Sequence, residues 1–261
     1  METARRQPAL FISHGSPTLA LEDSVTARFL ESLGRSHPRP TAVVVVSAHW
    51  ETMRPTLATN PAPSTIHDFG GFPRILYQQQ YPAAGSPEVA ARVAACLQEA
   101  GLAVDIDAQR GLDHGAWTPL MRLYPDADVP VVNLSLPHGW GGKALRDYGR
   151  ALRPLRDENV LIIGSGSYTH NLWQLVAEGS PAPGWAVEFA AWVDARLLQR
   201  ADSVLDDWLI RAPHAREAHP SDEHFLPLFV ALGAASDGVA PERLHDDWRY
   251  GSLSMACWRF D

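Results

Sequence analysis

Four short runs of aliphatic and β-branched residues, Ala9–Ser13, Ala42–Ser47, Val129–Leu134 and Val160–Ile163, carry almost no polar alternation. A strand with one face in water alternates apolar and polar side chains, whereas a strand buried on both faces does not. Such segments need helices on both sides of their sheet. The residues between them read as those helices. Ser86-Pro87-Glu88 supplies an N-cap, a first-turn proline and a first-turn acid ahead of Val89, Val93, Cys96 and Leu97 on one face, and Gly101 stops the helix. A second helix is predicted from about Ala186 to Arg200, with Val187, Ala190, Ala191, Val193, Leu197 and Leu198 inward. Ser221 reads as the cap of a third, carrying Leu226, Phe229 and Val230 inward. Strands alternating with helices imply an α/β fold with a central, largely parallel sheet flanked by helices. No repeat or low-complexity segment divides the 261 residues, so residues 1–261 read as a single domain.

Charge narrows the function classes. The chain has 22 Lys plus Arg against 30 Asp plus Glu, a net charge of −8, which excludes a general nucleic-acid binder or a basic membrane-surface protein. No run approaches the ~18 apolar residues of a membrane helix. Within Met1–Pro8, Arg5 and Arg6 precede an apolar stretch of only Ala9–Ile12, too short for a signal-peptide core. Two cysteines, Cys96 and Cys257, cannot build a disulfide framework or a Cys-rich zinc site. The expectation is a soluble cytoplasmic protein, a monomer or small homo-oligomer, whose metal site, if any, is made of histidine and carboxylate. The chain holds 11 histidines from which to build one.

Ligands of open α/β sheets bind beyond the carboxyl ends of the strands. Three of the four predicted strands deliver a histidine there: His14 after the first, His49 after the second, and His170 after Gly164-Ser165-Gly166-Ser167. The remaining strand ends at Pro137-His138, a weaker signal because Gly139–Gly142 reads as a loop. A lone histidine is more often structural than a ligand, but three at strand ends point to one shared site. Neutral imidazole is both the commonest transition-metal ligand and the usual proton shuttle. Glu223 and His224 follow the third helix cap. His14, His49 and either Glu223 or His224 would form a ligand set with open positions, as redox-active non-haem iron sites have. Glu223 reads equally well as a first-turn acid complementing the helix dipole. No zinc-protease helix motif, dinucleotide fingerprint, phosphate-binding loop or nucleophile elbow is present. Gly111–Trp117, with Asp113 beside His114, reads as a close-packed polar loop near a flat ligand or as a turn with a stacked tryptophan. Thr65–Pro73, including His67, reads as an aromatic and glycine-rich wall for an aromatic ring. His37, His214, His219 and His245 read as solvated surface.

His14-Gly15-Ser16-Pro17, Ser47-Ala48-His49-Trp50, Thr65–Pro73, Gly111–Trp117, Ser165–Asn171, Glu223–Pro227 and Gly251–Met255, in this order and spacing, resemble the class III extradiol ring-cleavage dioxygenases, in particular the 4,5-DOPA dioxygenase-like subgroup. The resemblance runs from Ala9 to Met255. It implies a mononuclear metal site with His14, His49 and His224 as ligands. It implies that His170 is the acid/base, and also a fourth ligand when zinc is bound without substrate, and that His114 contacts substrate or oxygen. Protocatechuate-type members complete their site with a glutamate; the subgroup pattern favours His224 over Glu223. The implied reaction opens the ring of a small catechol with dioxygen to a muconic semialdehyde, with Fe(II) for activity and Zn(II) as a bound or resting metal. Two other readings are a zinc-dependent hydrolase using the same histidines and a metal-binding protein that has lost activity.

Overall fold

Successive side chains of a strand point to opposite faces, and strand β1 (Ala9–Ser13) sends Ala9 and Phe11 into one hydrophobic cluster and Leu10 and Ile12 into another. The same division holds in β2 (Ala42–Thr52), where Val44 and Val46 oppose Val43 and Val45. Two-sided burial is therefore the reason the runs lack alternation. The computed structural model describes residues 6–261, so the part of the Met1–Pro8 segment before Arg6 lies outside the described residues.

The remaining strands are β3 (Thr56–Ala58), β4 (Asp105–Asp107), β5 (Val131–Pro137), β6 (Val160–Gly166), β7 (Glu242–His245), β8 (Trp248–Arg249), β9 (Leu253–Ser254) and β10 (Cys257–Phe260). Eight of them form one sheet in the order β4-β3-β5-β2-β6-β1-β10-β7, and β8 and β9 pair separately. The centre, β5-β2-β6-β1, is parallel throughout. Antiparallel pairing occurs outside it, where β3 meets β5 and where β10 meets β1 and β7. Strand β6 lies between β1 and β2, so the carboxyl ends of all three open onto one crevice.

Helices α1 (Val25–Ser36) and α3 (His114–Leu123) cover one face, and α2 (Pro87–Glu99), α4 (Gly142–Leu152) and the helices Gly184–Leu198 and Pro227–Ala234 cover the other. The Ser86 side chain caps α2 as expected. Two helix readings need correction. In Gly184–Leu198 the inward stripe is Ala186, Phe189, Ala190, Val193 and Leu197, while Val187, Ala191 and Leu198 face outward; a stripe of helical period drawn through Phe189 excludes them. Ser221 is not a helix cap. The last helix starts at Pro227, whose fixed φ suits a first helical position, and Ser221 donates instead to the Glu223 carboxylate. Gly111–Trp117 is also no simple loop, because Asp113 caps α3 and His114 is its first residue. At Gly166 a side chain is impossible: a Cβ there would lie 2.1 Å from the His224 carbonyl oxygen. That close approach, with the Ser167 amide donating to the same oxygen at 2.7 Å, joins the end of β6 to His224.

His219, read as surface, is buried against Phe189, Trp208 and Phe225, with Nε2 at 3.1 Å from the Tyr168 carbonyl. His245 stacks on Phe29 and His37 bonds Gln7, both half-buried, whereas His214 is at the surface as expected. Burial pushes the His219 pKa down to about 3 from its ordinary 6.5. The unfolded chain then takes up this proton first as pH falls, so the contribution is full above 6.5 and lost as pH drops toward about 3. Urea unfolding of His219→Phe should show a stability slope shallower than wild type by about 1.4 kcal/mol per pH unit between those limits. Equal slopes would mean His219 is protonated in the folded protein.

Candidate metal centre

His14 leaves the end of β1 with its amide on the Gly166 carbonyl, His49 lies within the carboxyl end of β2, and His224 is held by the contact with β6. The three rings converge. Nε2 of His49 stands 3.1 Å from Nε2 of His14 and 3.2 Å from Nε2 of His224. Each Nδ1 faces an acceptor instead. Nδ1 of His14 is 3.0 Å from Ser165 Oγ, whose own proton goes to the Gly115 carbonyl, so this hydroxyl accepts from the ring. Nδ1 of His224 is 2.8 Å from Glu223 Oε1, and Nδ1 of His49 is 3.6 Å from Asp68 Oδ2. Protons assigned from this network sit on Nδ1, leaving the Nε2 lone pairs aimed at one another. Gly115 makes the convergence possible, since a Cβ there would meet Ser47 Oγ, His49 and His14 at 2.4, 3.0 and 3.2 Å.

Burial dominates the electrostatics. It pushes His49 down to about 3, with His114 adding to the effect, and holds His14 and His224 well below the ordinary imidazole range. Burial alone would raise the Asp68 carboxyl, but hydrogen bonds and charge from His114 bring it down to about 2. Asp68 Oδ1 receives the His114 amide at 2.9 Å and lies 3.0 Å from its Nδ1, so one carboxylate spans His114 and His49. Beneath them, buried Asp113 accepts from Ser47 and from Arg110, which also reaches the His49 carbonyl.

His170 stands outside the group of His14, His49 and His224. Its ring lies flat on that of His224, with centroids 3.5 Å apart and planes 8° apart, and its donor atom groups with those of Glu223 and His224. Burial pushes it down to about 4. His138 plays no part here, being exposed and paired with Glu51.

A cavity of about 640 Å³ opens above these rings, lined by His49, His114, His170 and His224 and walled by Phe69 and Phe72 among others. The aromatic loop thus forms a wall, but His67 stands behind it, bonded to the Gln79 carbonyl and edge-on to Phe69 and Trp117. Three further residues shape the site without any local sequence signal for it: Ser165 as the acceptor for His14, Asp68 beside His49 and His114, and Glu223 as the acceptor that orients His224. Ser165→Ala removes the acceptor that sets the His14 tautomer. A competing chelator should find metal affinity lowered roughly 10- to 100-fold, with folding retained; unchanged affinity would show that Ser165 does not orient the ring.

The family model described as the catalytic LigB subunit of aromatic ring-opening dioxygenase matches residues 8–260. The chain is 43% identical over 260 residues to a protein of Beta vulgaris named 4,5-DOPA dioxygenase extradiol, covering 96% of this chain and 95% of that one. It is 40% identical over 257 residues to the protein of the same name from Escherichia coli K12, covering 97% and 94%. The crystal structure of an uncharacterized protein from Escherichia coli K12 superposes with a TM-score of 0.82 at 35% identity, over 98% of this chain and 100% of the other. The chain therefore belongs to the LigB family of extradiol aromatic ring-opening dioxygenases.

Proposed function

We propose that this protein opens the ring of a small, DOPA-like catechol next to the diol, using dioxygen and a metal held by His14, His49 and His224, to give a muconic semialdehyde. The observation that carries this reading is the convergence of three Nε2 lone pairs at the floor of an aromatic-walled cavity. Lone pairs at 3.1 and 3.2 Å repel unless a cation lies between them. Imidazoles that share a tetrahedral ion at about 2.0–2.1 Å stand about 3.3 Å apart, so the donor set fits a divalent metal. The set is neutral, with Asp68 and Glu223 supplying negative charge through the rings they contact. Fe(II) is the proposed active metal and Zn(II) a resting occupant of the same nitrogens. When bound, Fe(II) supplies the Lewis acidity that lowers the catechol pKa and the redox capacity toward dioxygen that zinc lacks.

The chain's own groups handle position and protons. His170 is neutral at pH 7 because burial pushes it down to about 4, which leaves it able to accept a catechol hydroxyl proton and to return it later in the reaction. Stacking on His224 keeps it beside the metal ligands while its nitrogens stay outside the three-histidine group; a fourth-ligand role with zinc is a second proposed state of the same ring. His114, oriented by Asp68, is proposed to contact substrate or oxygen. Phe69 and Phe72 provide the faces against which the aromatic ring lies. Family membership and these aromatic walls favour ring opening over a zinc-dependent hydrolase. The cytoplasmic reading rests on two buried free thiols, Cys96 and Cys257, in clusters on opposite faces of the sheet. Among the described residues no helix is long and apolar enough to cross a membrane.

Protein loaded anaerobically with Fe(II) should consume oxygen and develop a yellow chromophore with DOPA, caffeate or simpler catechols. Zinc-dependent hydrolysis without oxygen uptake would establish the hydrolase instead. His170→Ala should retain metal but lose about 10²- to 10⁴-fold in ring opening, whereas His224→Ala should lose the metal itself; full turnover by His170→Ala would remove that residue from proton transfer.

A further inference from the structure

Resting on the ring-opening reading, we infer that Tyr250 positions the substrate, its phenol hydroxyl donating a hydrogen bond to a carboxylate carried by the substituent of the catechol. Tyr250 lines the cavity, and among the described residues its hydroxyl has no hydrogen-bond partner. The imidazoles of the same cavity are committed: His49 and His114 turn Nδ1 toward Asp68, and His224 turns Nδ1 toward Glu223. An anion on the substituent therefore needs a donor from elsewhere in the wall. A hydrogen bond to such a charged acceptor is roughly twice as strong as one to a neutral group.

The backbone holds Tyr250 in place against its own preference. Its φ is +50°, in the left-handed region, and Gly251 follows at +72°. Glycine takes such angles freely, and the residue before it in a hairpin turn of this kind is normally Asn or Asp, so a bulky aromatic residue there is strained. Contacts from distant segments hold the strain. The Tyr250 amide donates to Glu178 Oε2 at 3.1 Å, and its carbonyl accepts from the Val176 amide at 3.0 Å and the Ser252 amide at 2.9 Å. Arg249, just before it, donates to Glu178 Oε1 at 2.6 Å and to both carboxylate oxygens of Glu22, which ties the turn between β8 and β9 to two other stretches of chain. Strained backbone that its surroundings over-determine gathers where the side chain it presents is used. Here that side chain is a half-buried ring in the cavity wall with its hydroxyl unpaired.

The test compares 3-(3,4-dihydroxyphenyl)propanoate with 4-propylcatechol, which differ by a carboxylate in place of a methyl group. Affinity for the zinc-loaded protein is read by anaerobic calorimetry, and kcat/KM is read on the Fe(II)-loaded protein. Tyr250→Phe should weaken binding of the carboxylate compound at least about tenfold, and the ratio of carboxylate to alkyl kcat/KM should fall by a similar factor. Its Tm should match wild type, because the hydroxyl bonds nothing in the fold. An unchanged ratio overturns the inference, as do equal losses for both compounds or a lowered Tm, either of which would mark a structural role. Arg74, exposed and close in sequence to the Phe72 wall, is the competing donor. A ratio that falls in Arg74→Gln but not in Tyr250→Phe would place the carboxylate on that guanidinium and overturn the assignment. A shifted affinity ratio with no ring opening of either compound supports Tyr250 and overturns the proposed function instead.

Discussion

Three imidazoles can aim unprotonated nitrogens at one another only if their other nitrogens are held protonated from outside. Ser165, Glu223 and Asp68 do this for His14, His224 and His49, and each does so differently. The serine works because its own proton is committed to the Gly115 carbonyl, which leaves its oxygen as an acceptor. Glu223 accepts from His224, and both carboxylates bring negative charge close to the neutral rings. Such outer partners fix ring orientation and raise ligand basicity. Burial alone would keep the rings neutral, but it would not choose which nitrogen faces inward.

That arrangement depends on the sheet. Placing β6 between β1 and β2 puts Ser165 beside the strand that delivers His14 and next to the strand that carries His49. The close approach at Gly166 then brings in His224 from a segment that precedes the last helix. Helix α3 enters at the same crevice, with Gly115 permitting the rings to meet above it and Asp113 tying its first turn to Ser47. The three converging histidines thus sit at one end of a two-sided core, whereas the cavity walls come from the Thr65–Pro73 loop and from the segment around Leu172. The converging histidines and the aromatic walls therefore belong to different parts of the fold.

Much of this architecture was legible in the chain. The four central strands were readable because burial on both faces leaves an uninterrupted aliphatic run. The short strand β3 and the edge strands β4 and β7 were not, since each is short, and β4 and β7 carry charged residues such as Asp105 and Glu242 that give no hydrophobic signature. His219 was misread because Pro220 and Arg216 nearby suggest a wet surface, whereas the aromatic side chains that bury it lie at distant positions. Val187 and Leu198 were misassigned because a largely apolar helix offers more than one plausible stripe.

By itself the sequence determined the α/β class, the strand ends at which chemistry gathers, and, through its motifs, the family. These are local properties, written in runs of neighbouring residues and in the order of short segments. Tertiary structure alone decided which nitrogen each histidine presents, that Glu223 orients His224, and that His170 stacks on His224 beside the converging histidines. The reason is distance along the chain: His14 meets Ser165 across 151 positions and His49 meets His224 across 175. Contacts of that span leave no local pattern, and hydrogen-bond direction is set only when both partners are in place.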